Sequence, residues 1–295
     1  MRKFLSVCLL LAGVSAIALW VLSRPVPLAN DAMAGLTGNP DNGEMVFWAG
    51  GCASCHADPD AKGEDKLVLS GGYRIDSPFG TFIAPNISPG PAGLAGWSSL
   101  DLANALKAGV SPENTHLYPS LPYTTYIRMS LQDVADLKSF LDTLPVSDQP
   151  SLTHELSFPF NIRRGLGLWK LVNLTPDWVL TDPPSPEVER GRYLVEALGH
   201  CGECHTPRDV TGGLDRSQWM QGAPNPSGKG KIPAIDPQSL KWSAGDIAYY
   251  LETGFTPDYD SAGGQMTKVV ESIAHLSSED RSAIAAYLKA LPETN

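Results

Sequence analysis

The sequence predicts an all-α protein, with two tandem helical domains following an N-terminal transmembrane helix. Three observations lead there. An uncharged run from Phe4 to Leu22 follows Arg2 and Lys3, two Cys-x-x-Cys-His motifs begin at Cys52 and Cys201, and each motif is followed by an amphipathic stretch closed by proline, at Pro145 and Pro292.

The apolar run comes first. Its 19 residues match the length needed to span a bilayer's hydrocarbon core. The basic pair ahead of it places the N-terminus in the cytoplasm, Trp20 sits where an interfacial anchor belongs, and no small-x-small cleavage site follows Leu22 directly. Residues 1–30 therefore read as a membrane anchor or signal, with the retained anchor favoured and the remainder exported. Cys8, inside the run, reads as an apolar filler.

The rest of the chain is written twice. A helical segment from Gly43 to Trp48 leads into Cys52-Ala53-Ser54-Cys55-His56, and one from Gly191 to Leu198 leads into Cys201-Gly202-Glu203-Cys204-His205. Trp97-Ser98 and Trp242-Ser243 each open another amphipathic stretch. Each half closes with a helix, Leu131 to Pro145 and Leu276 to Pro292, in which Val134, Leu137, Phe140 and Leu141 match Ile284, Tyr287, Leu288 and Leu291 as apolar stripes. The first domain is placed at residues 31–148 and the second at 187–295. Residues 149–186 are proline-rich and form a connecting segment. Within it, Phe158 to Asn173 alternates Arg163, Arg164 and Lys170 with Leu166, Leu168, Trp169 and Leu171. This stretch reads as a strap over the domain interface, with a membrane-surface or partner-facing role as the alternative.

Composition agrees. With 42% hydrophobic and 18% charged residues, 295 residues suit a globular protein of about two domains. Its 25 prolines and 28 glycines predict short helices joined by irregular connections. The net charge of −10 excludes nucleic acid as a partner and suits encounter with basic docking surfaces.

A Cys-x-x-Cys-His run is the attachment signature of c-type haem. Two thiols a helical turn apart reach the two vinyl groups of one porphyrin, and the next histidine lies beneath the iron. A thioredoxin-like pair or half a zinc site shares the cysteine spacing but does not explain a histidine after the second cysteine in both copies. With an export signal ahead of them, the motifs imply two covalently bound haem c groups, with Cys52, Cys55, Cys201 and Cys204 as attachment points and His56 and His205 as iron ligands.

The sixth ligand separates an electron carrier from a site open to chemistry. Met266 follows His205 at a distance that reaches across the haem edge, whereas Met220 lies in an irregular loop and reads as packing. In the first half Met129 precedes the closing helix. It is not at the repeat position of Met266, because counting back from Pro145 lands near Pro119, which keeps His116 in competition. Met45 lies on the attachment helix itself and does not reach the far haem face.

On these motifs the chain resembles the cytochrome c family of small all-helical haem domains. It is similar, more narrowly, to two of the three haem domains in membrane-bound cytochrome subunits of bacterial alcohol, gluconate and aldehyde dehydrogenases. The resemblance covers about residues 43–292. It rests on Phe47-Trp48-Ala49-Gly50-Gly51-Cys52 with Cys55-His56, Pro85-Asn86-Ile87-Ser88, His116-Leu117-Tyr118-Pro119, Pro122-Tyr123 through Tyr126 to Met129, Leu198 to Arg208, and Gly263-Gly264-Gln265-Met266. It implies that Met129, ending the Pro-Tyr-x-x-Tyr-x-x-Met segment, is the axial ligand. It also implies that the leading and closing helices cross near Gly43 and Gly191 against Phe140 and Tyr287. The third haem domain of those subunits has no counterpart here.

The functional expectation is an electron relay with no catalytic residues, at the inner membrane with its haem domains in the periplasm. It would be reduced by a periplasmic dehydrogenase and oxidised by a cytochrome, quinone or oxidase. A peroxidase-like or sulfur-oxidising dihaem enzyme is the alternative; the Cys-ligated sulfur chemistry would need a further exported cysteine, and there is none.

Overall fold

The computed structural model describes residues 1–226 and 230–292. Helix α1 (Arg2–Leu22) stands outside the body and buries none of its residues. At about 1.5 Å per residue it spans roughly 30 Å, a hydrocarbon core's thickness.

The first half contains α2 (Pro40–Ala49), α3 (Cys52–His56), α4 (Ser99–Ala103), α5 (Tyr123–Tyr126) and α6 (Leu131–Leu141). Helix α7 (Gly165–Asn173) lies in the connection. The second half contains α8 (Pro186–Tyr193), α9 (Gly202–His205), α10 (Ala244–Thr253), α11 (Gln265–Ile273) and α12 (Ser278–Ala290). Helix α8 continues through a π-helical turn over Leu194–Leu198.

Both leading helices begin earlier than the glycines suggested, because each has a capping residue followed by proline. Asn39 Oδ1 accepts the Asp41 N–H ahead of Pro40, and Ser185 Oγ accepts the Val188 N–H ahead of Pro186. The Trp-Ser pairs also start helices: Ser98 with Asp101 and Ser243 with Asp246 form reciprocal capping boxes. Ser130 and Ser277 cap the two closing helices one way only, their side chains accepting the N–H groups of Asp133 and Asp280.

The glycines serve a different purpose inside their helices. A Cβ at Gly43 would lie 2.1 Å from the Asp136 carbonyl oxygen and 2.8 Å from Phe140 Cβ; at Gly191 it would lie 1.9 Å from Ala283 O and 2.7 Å from Tyr287 Cβ. Helix α2 therefore crosses α6, and α8 crosses α12, at backbone contact. Phe47 and Phe140 pack across the first crossing with ring centroids 5.3 Å apart.

The all-α expectation is corrected by five short strands among the described residues of a mostly helical chain. Strands β1 (Arg74–Ser77) and β2 (Gly80–Ile83) form a hairpin whose turn ends at Gly80 with φ +121°. Strand β3 (Glu155–Leu156) adds antiparallel to β2, and β4 (Ala223–Pro224) pairs with β5 (Lys231–Ile232). The period-2 signal is too short to read in strands of two to four residues, and β3 forms only because the connection folds back over the first half.

The two halves share one apolar core. Across their boundary Trp48 stacks on His275 at 3.7 Å, Ser130 N–H donates to Tyr193 Oη at 2.9 Å, and Thr124 Oγ1 donates to Glu203 at 2.6 Å. Glu196 ties the connection to the second half. Its buried carboxylate accepts the N–H groups of Val179 (2.6 Å) and Leu180 (3.1 Å) and the Tyr287 hydroxyl (2.7 Å), while Tyr287 Oη accepts Trp219 Nε1–H at 3.0 Å. Glu196→Ala strands these donors and is expected to destabilise the protein by about 3 kcal/mol. A lower urea midpoint at unchanged slope is the readout.

Candidate haem sites

Helices α3 and α9 present the two Cys-x-x-Cys-His motifs in matched surroundings. Among the described residues, none of the motif cysteines is in a disulfide. Burial pushes the thiols of Cys52 and Cys201 up to about 12. They are protonated in the free chain, unlike the low-pKa thiolate of a reactive redox pair.

The histidines are set for iron. His56 Nδ1 lies 2.8 Å from the Pro85 carbonyl oxygen and His205 Nδ1 lies 2.8 Å from that of Pro233. A carbonyl only accepts, so each Nδ1 carries the proton and each Nε2 keeps its lone pair. Burial lowers both pKa values, the carbonyl bond opposing it, which favours the neutral ligating imidazole. This donor set fits a covalently held porphyrin iron in both halves.

The turn after each motif is also matched. Gly71 N–H donates to His56 O at 2.7 Å and Ile87 N–H to Leu69 O at 3.0 Å; Gly222 N–H donates to His205 O at 2.7 Å and Ile235 N–H to Met220 O at 2.8 Å. Met220 thus stands where the first half has Leu69, and both are fully buried. It is a packing residue.

Met129 and Met266 occupy opposite ends of the segment that precedes each closing helix. Backbone bridges pair Val110 with His116 and Phe255 with Ser261, and Ser130 and Ser277 cap the closing helices. These fixed points align Met129 with Leu276, and Met266 with the neighbourhood of Leu121. Where one half has methionine the other has leucine. Met129 is 2% exposed, and Lys107 Nζ donates to its carbonyl oxygen and to that of Ile127 (2.6 Å). Met266 is half-buried in the first turn of α11, a nine-residue helix where the first half has only the short α5.

His116 has no nitrogen left for iron. Its Nε2–H donates to Ser23 O at 2.9 Å and its Nδ1 accepts from Lys170 Nζ at 3.1 Å. His154, His200 and His275 pack: His154 Nδ1 accepts the Ile83 N–H, His200 faces Tyr126, and His275 lies on Trp48.

The two attachment loops touch. A Cβ on Gly51 would lie 3.9 Å from His200 Nε2, and one on Gly199 would lie 3.7 Å from Ala49 O. Behind them Ser54 Oγ donates to Lys268 O at 3.3 Å, and Tyr126 Oη donates to Gly50 O at 3.0 Å. Sequence reading assigned no role to the Pro85 and Pro233 carbonyls, Lys107 or Glu203. The glycine two residues beyond Leu69 and beyond Met220 was the available signal for the proline pair.

The cytochrome c family profile matches residues 40–145 and 188–292, which covers both motifs, both proline carbonyls and both methionines. The chain belongs to the cytochrome c family. This cytochrome is 58% identical over 294 residues to a dihaem cytochrome c-type protein of Cereibacter sphaeroides, with 99% of each chain covered. It is 36% identical over 257 residues to the fructose dehydrogenase cytochrome subunit of Gluconobacter japonicus, covering 85% of this chain and 52% of that one. It is 33% identical over 282 residues to the gluconate 2-dehydrogenase cytochrome c subunit of Pantoea cypripedii, covering 89% and 60%. The chain therefore spans about half to three-fifths of these dehydrogenase subunits. Family and relatives mark it as a haem-binding electron-transfer protein rather than an enzyme.

Proposed function

We propose that this cytochrome is a membrane-anchored, periplasmic dihaem relay that takes electrons from a dehydrogenase and passes them to a respiratory acceptor, a cytochrome, quinone or oxidase. The contact between the two attachment loops carries this reading. It brings two haem sites into one packed body, where an electron passes between them without leaving the protein. The haems would be held by Cys52 and Cys55 with His56 and Met129, and by Cys201 and Cys204 with His205 and Met266. A methionine opposite histidine raises the potential and closes the iron to substrate, as an electron carrier requires. The domains would follow the sequence boundaries at 31–148 and 187–295.

The double variants Cys52→Ser/Cys55→Ser and Cys201→Ser/Cys204→Ser are each expected to halve covalently bound haem, measured as pyridine haemochrome per polypeptide. Stopped-flow reduction of the intact protein by a dehydrogenase should then show two sequential haem phases. A haem that stays oxidised while the acceptor is reduced would remove it from the path.

The N-terminal helix supports retention. Ser23, just past α1, is buried, its carbonyl accepting from His116 and its hydroxyl accepting from Arg164 Nε at 3.0 Å. Arg164 Nη2 donates to Trp20 O at 2.6 Å, and its guanidinium lies 4.1 Å from the Trp20 ring centroid. A cleaved signal would leave these donors without partners. Intact mass of the mature protein is expected to include α1, and carbonate washing is expected to leave it in the membrane pellet.

A further inference from the structure

The strap reads differently once its exposed side chains are placed. Its polar atoms point inward: Lys170 Nζ donates to Ala108 O (2.7 Å) and Gly109 O (2.6 Å), and Arg163 donates to His116 O at 3.0 Å. Leu166, Leu168 and Trp169 are half-buried, and the large apolar side chains on either side of them point outward. Phe158 is 78% exposed, Leu171 62% and Val172 71%, with Phe160 and Ile162 exposed between them. Successive turn hydrogen bonds, Phe160 to Ser157, Ile162 to Pro159 and Gly165 to Ile162, wind this segment directly into α7. A water-facing strap would show the reverse arrangement.

The apolar surface continues onto α1. Gly167 lies so close to the end of that helix that a Cβ would be 2.2 Å from Ser23 O. Leu22 and Val26 line one crevice with Leu171 and Leu174. Arg24 is exposed beside it, and Arg164 caps Trp20. Cations next to outward apolar and aromatic groups, at the point where a spanning helix ends, fit the boundary between phosphate headgroups and acyl chains.

We propose that residues 158–172 form an interfacial foot lying in the bilayer surface beside α1. The proposal rests on the anchored reading above. Because the inward bonds of the strap go to the first half, the foot holds that half against the membrane in one orientation. The second half meets the strap through the Thr211 loop, where Trp169 Nε1 donates to Thr211 O at 3.0 Å.

The test uses the full haem-loaded chain in nanodiscs containing a phospholipid with a diazirine in its acyl chain. After irradiation, tryptic peptides are mapped by mass spectrometry. Adducts are expected on the α1 peptide and on the strap peptides 139–163 and 171–190. In the Phe158→Ser/Phe160→Ser/Val172→Ser variant, whose changes are all at exposed positions, the strap adducts should be lost and the α1 adducts kept. Adducts confined to α1 in the wild-type chain would overturn the foot while leaving the anchor standing, and would assign this face to a protein partner. Adducts on neither would overturn the anchor and the foot with it.

Discussion

Met129→Ala and Met266→Ala are each expected to abolish one haem's near-infrared sulfur-to-iron band and to leave the other haem's band intact. The affected haem should lose potential on the order of 0.1 V or more, within the roughly 0.8 V that axial ligands span. On the proposed ligation, loss of the thioether removes the ligand that favours ferrous iron, and alanine supplies no replacement. The leucines at the matched positions make the pair informative. Leu276 stands where Met129 would fall in the second half, so no methionine there substitutes for Met266, and the buried Met220 is held by Thr206 Oγ1 at its N–H and by Ile235 at its carbonyl. Low-temperature electron paramagnetic resonance of the oxidised protein checks the same assignment: two low-spin His/Met signals in wild type and one changed signal in each variant. A bis-histidine signal would overturn an assignment, although His116, bonded at both nitrogens, is poorly placed to give one.

The second large effect is on stability. Gly→Ala inside a helix ordinarily gains about 0.5–1 kcal/mol by restricting the unfolded chain. At Gly43 and Gly191 the sign reverses. The added methyl would lie 2.1 Å from Asp136 O and 1.9 Å from Ala283 O, both backbone atoms that move only if the helices separate. Separation would loosen Phe140 and Tyr287 as well, so each substitution should cost on the order of 2 kcal/mol or more. Thermal unfolding of the haem-loaded variants measures it. Gly13, in α1 with no atom near its would-be Cβ, is the control at which alanine should keep the ordinary small gain and show no loss.

The attachment motifs and the repeat were legible because each is local or periodic, whereas the crossings at Gly43 and Gly191 came from the family resemblance alone. Cys-x-x-Cys-His encodes its chemistry in five consecutive residues. The Trp-Ser openings were visible as a repeated pair ahead of an amphipathic stretch, and the structure adds that Ser98 and Ser243 cap those helices with an aspartate three residues on. The strands were not legible: β3 is two residues long and exists only where the connection returns to β2. The helix starts at Pro40 and Pro186 were missed for another reason, since a glycine at a crossing resembles a glycine at a boundary until the partner helix is seen.

The methionine question shows the same division. Counting along the repeat placed Met129 and Met266 at different positions and kept His116 in competition, because spacing carries no record of what a side chain touches. By itself the sequence determined that two haem-attachment sites follow an apolar helix in a twice-written helical chain. Only the tertiary structure decided that the Pro85 and Pro233 carbonyls orient the histidines, that His116 holds the end of α1, and that the two attachment loops meet. Those outcomes depend on atoms 28 to 150 residues apart, which hydrogen bonding and close packing bring together and local pattern does not describe.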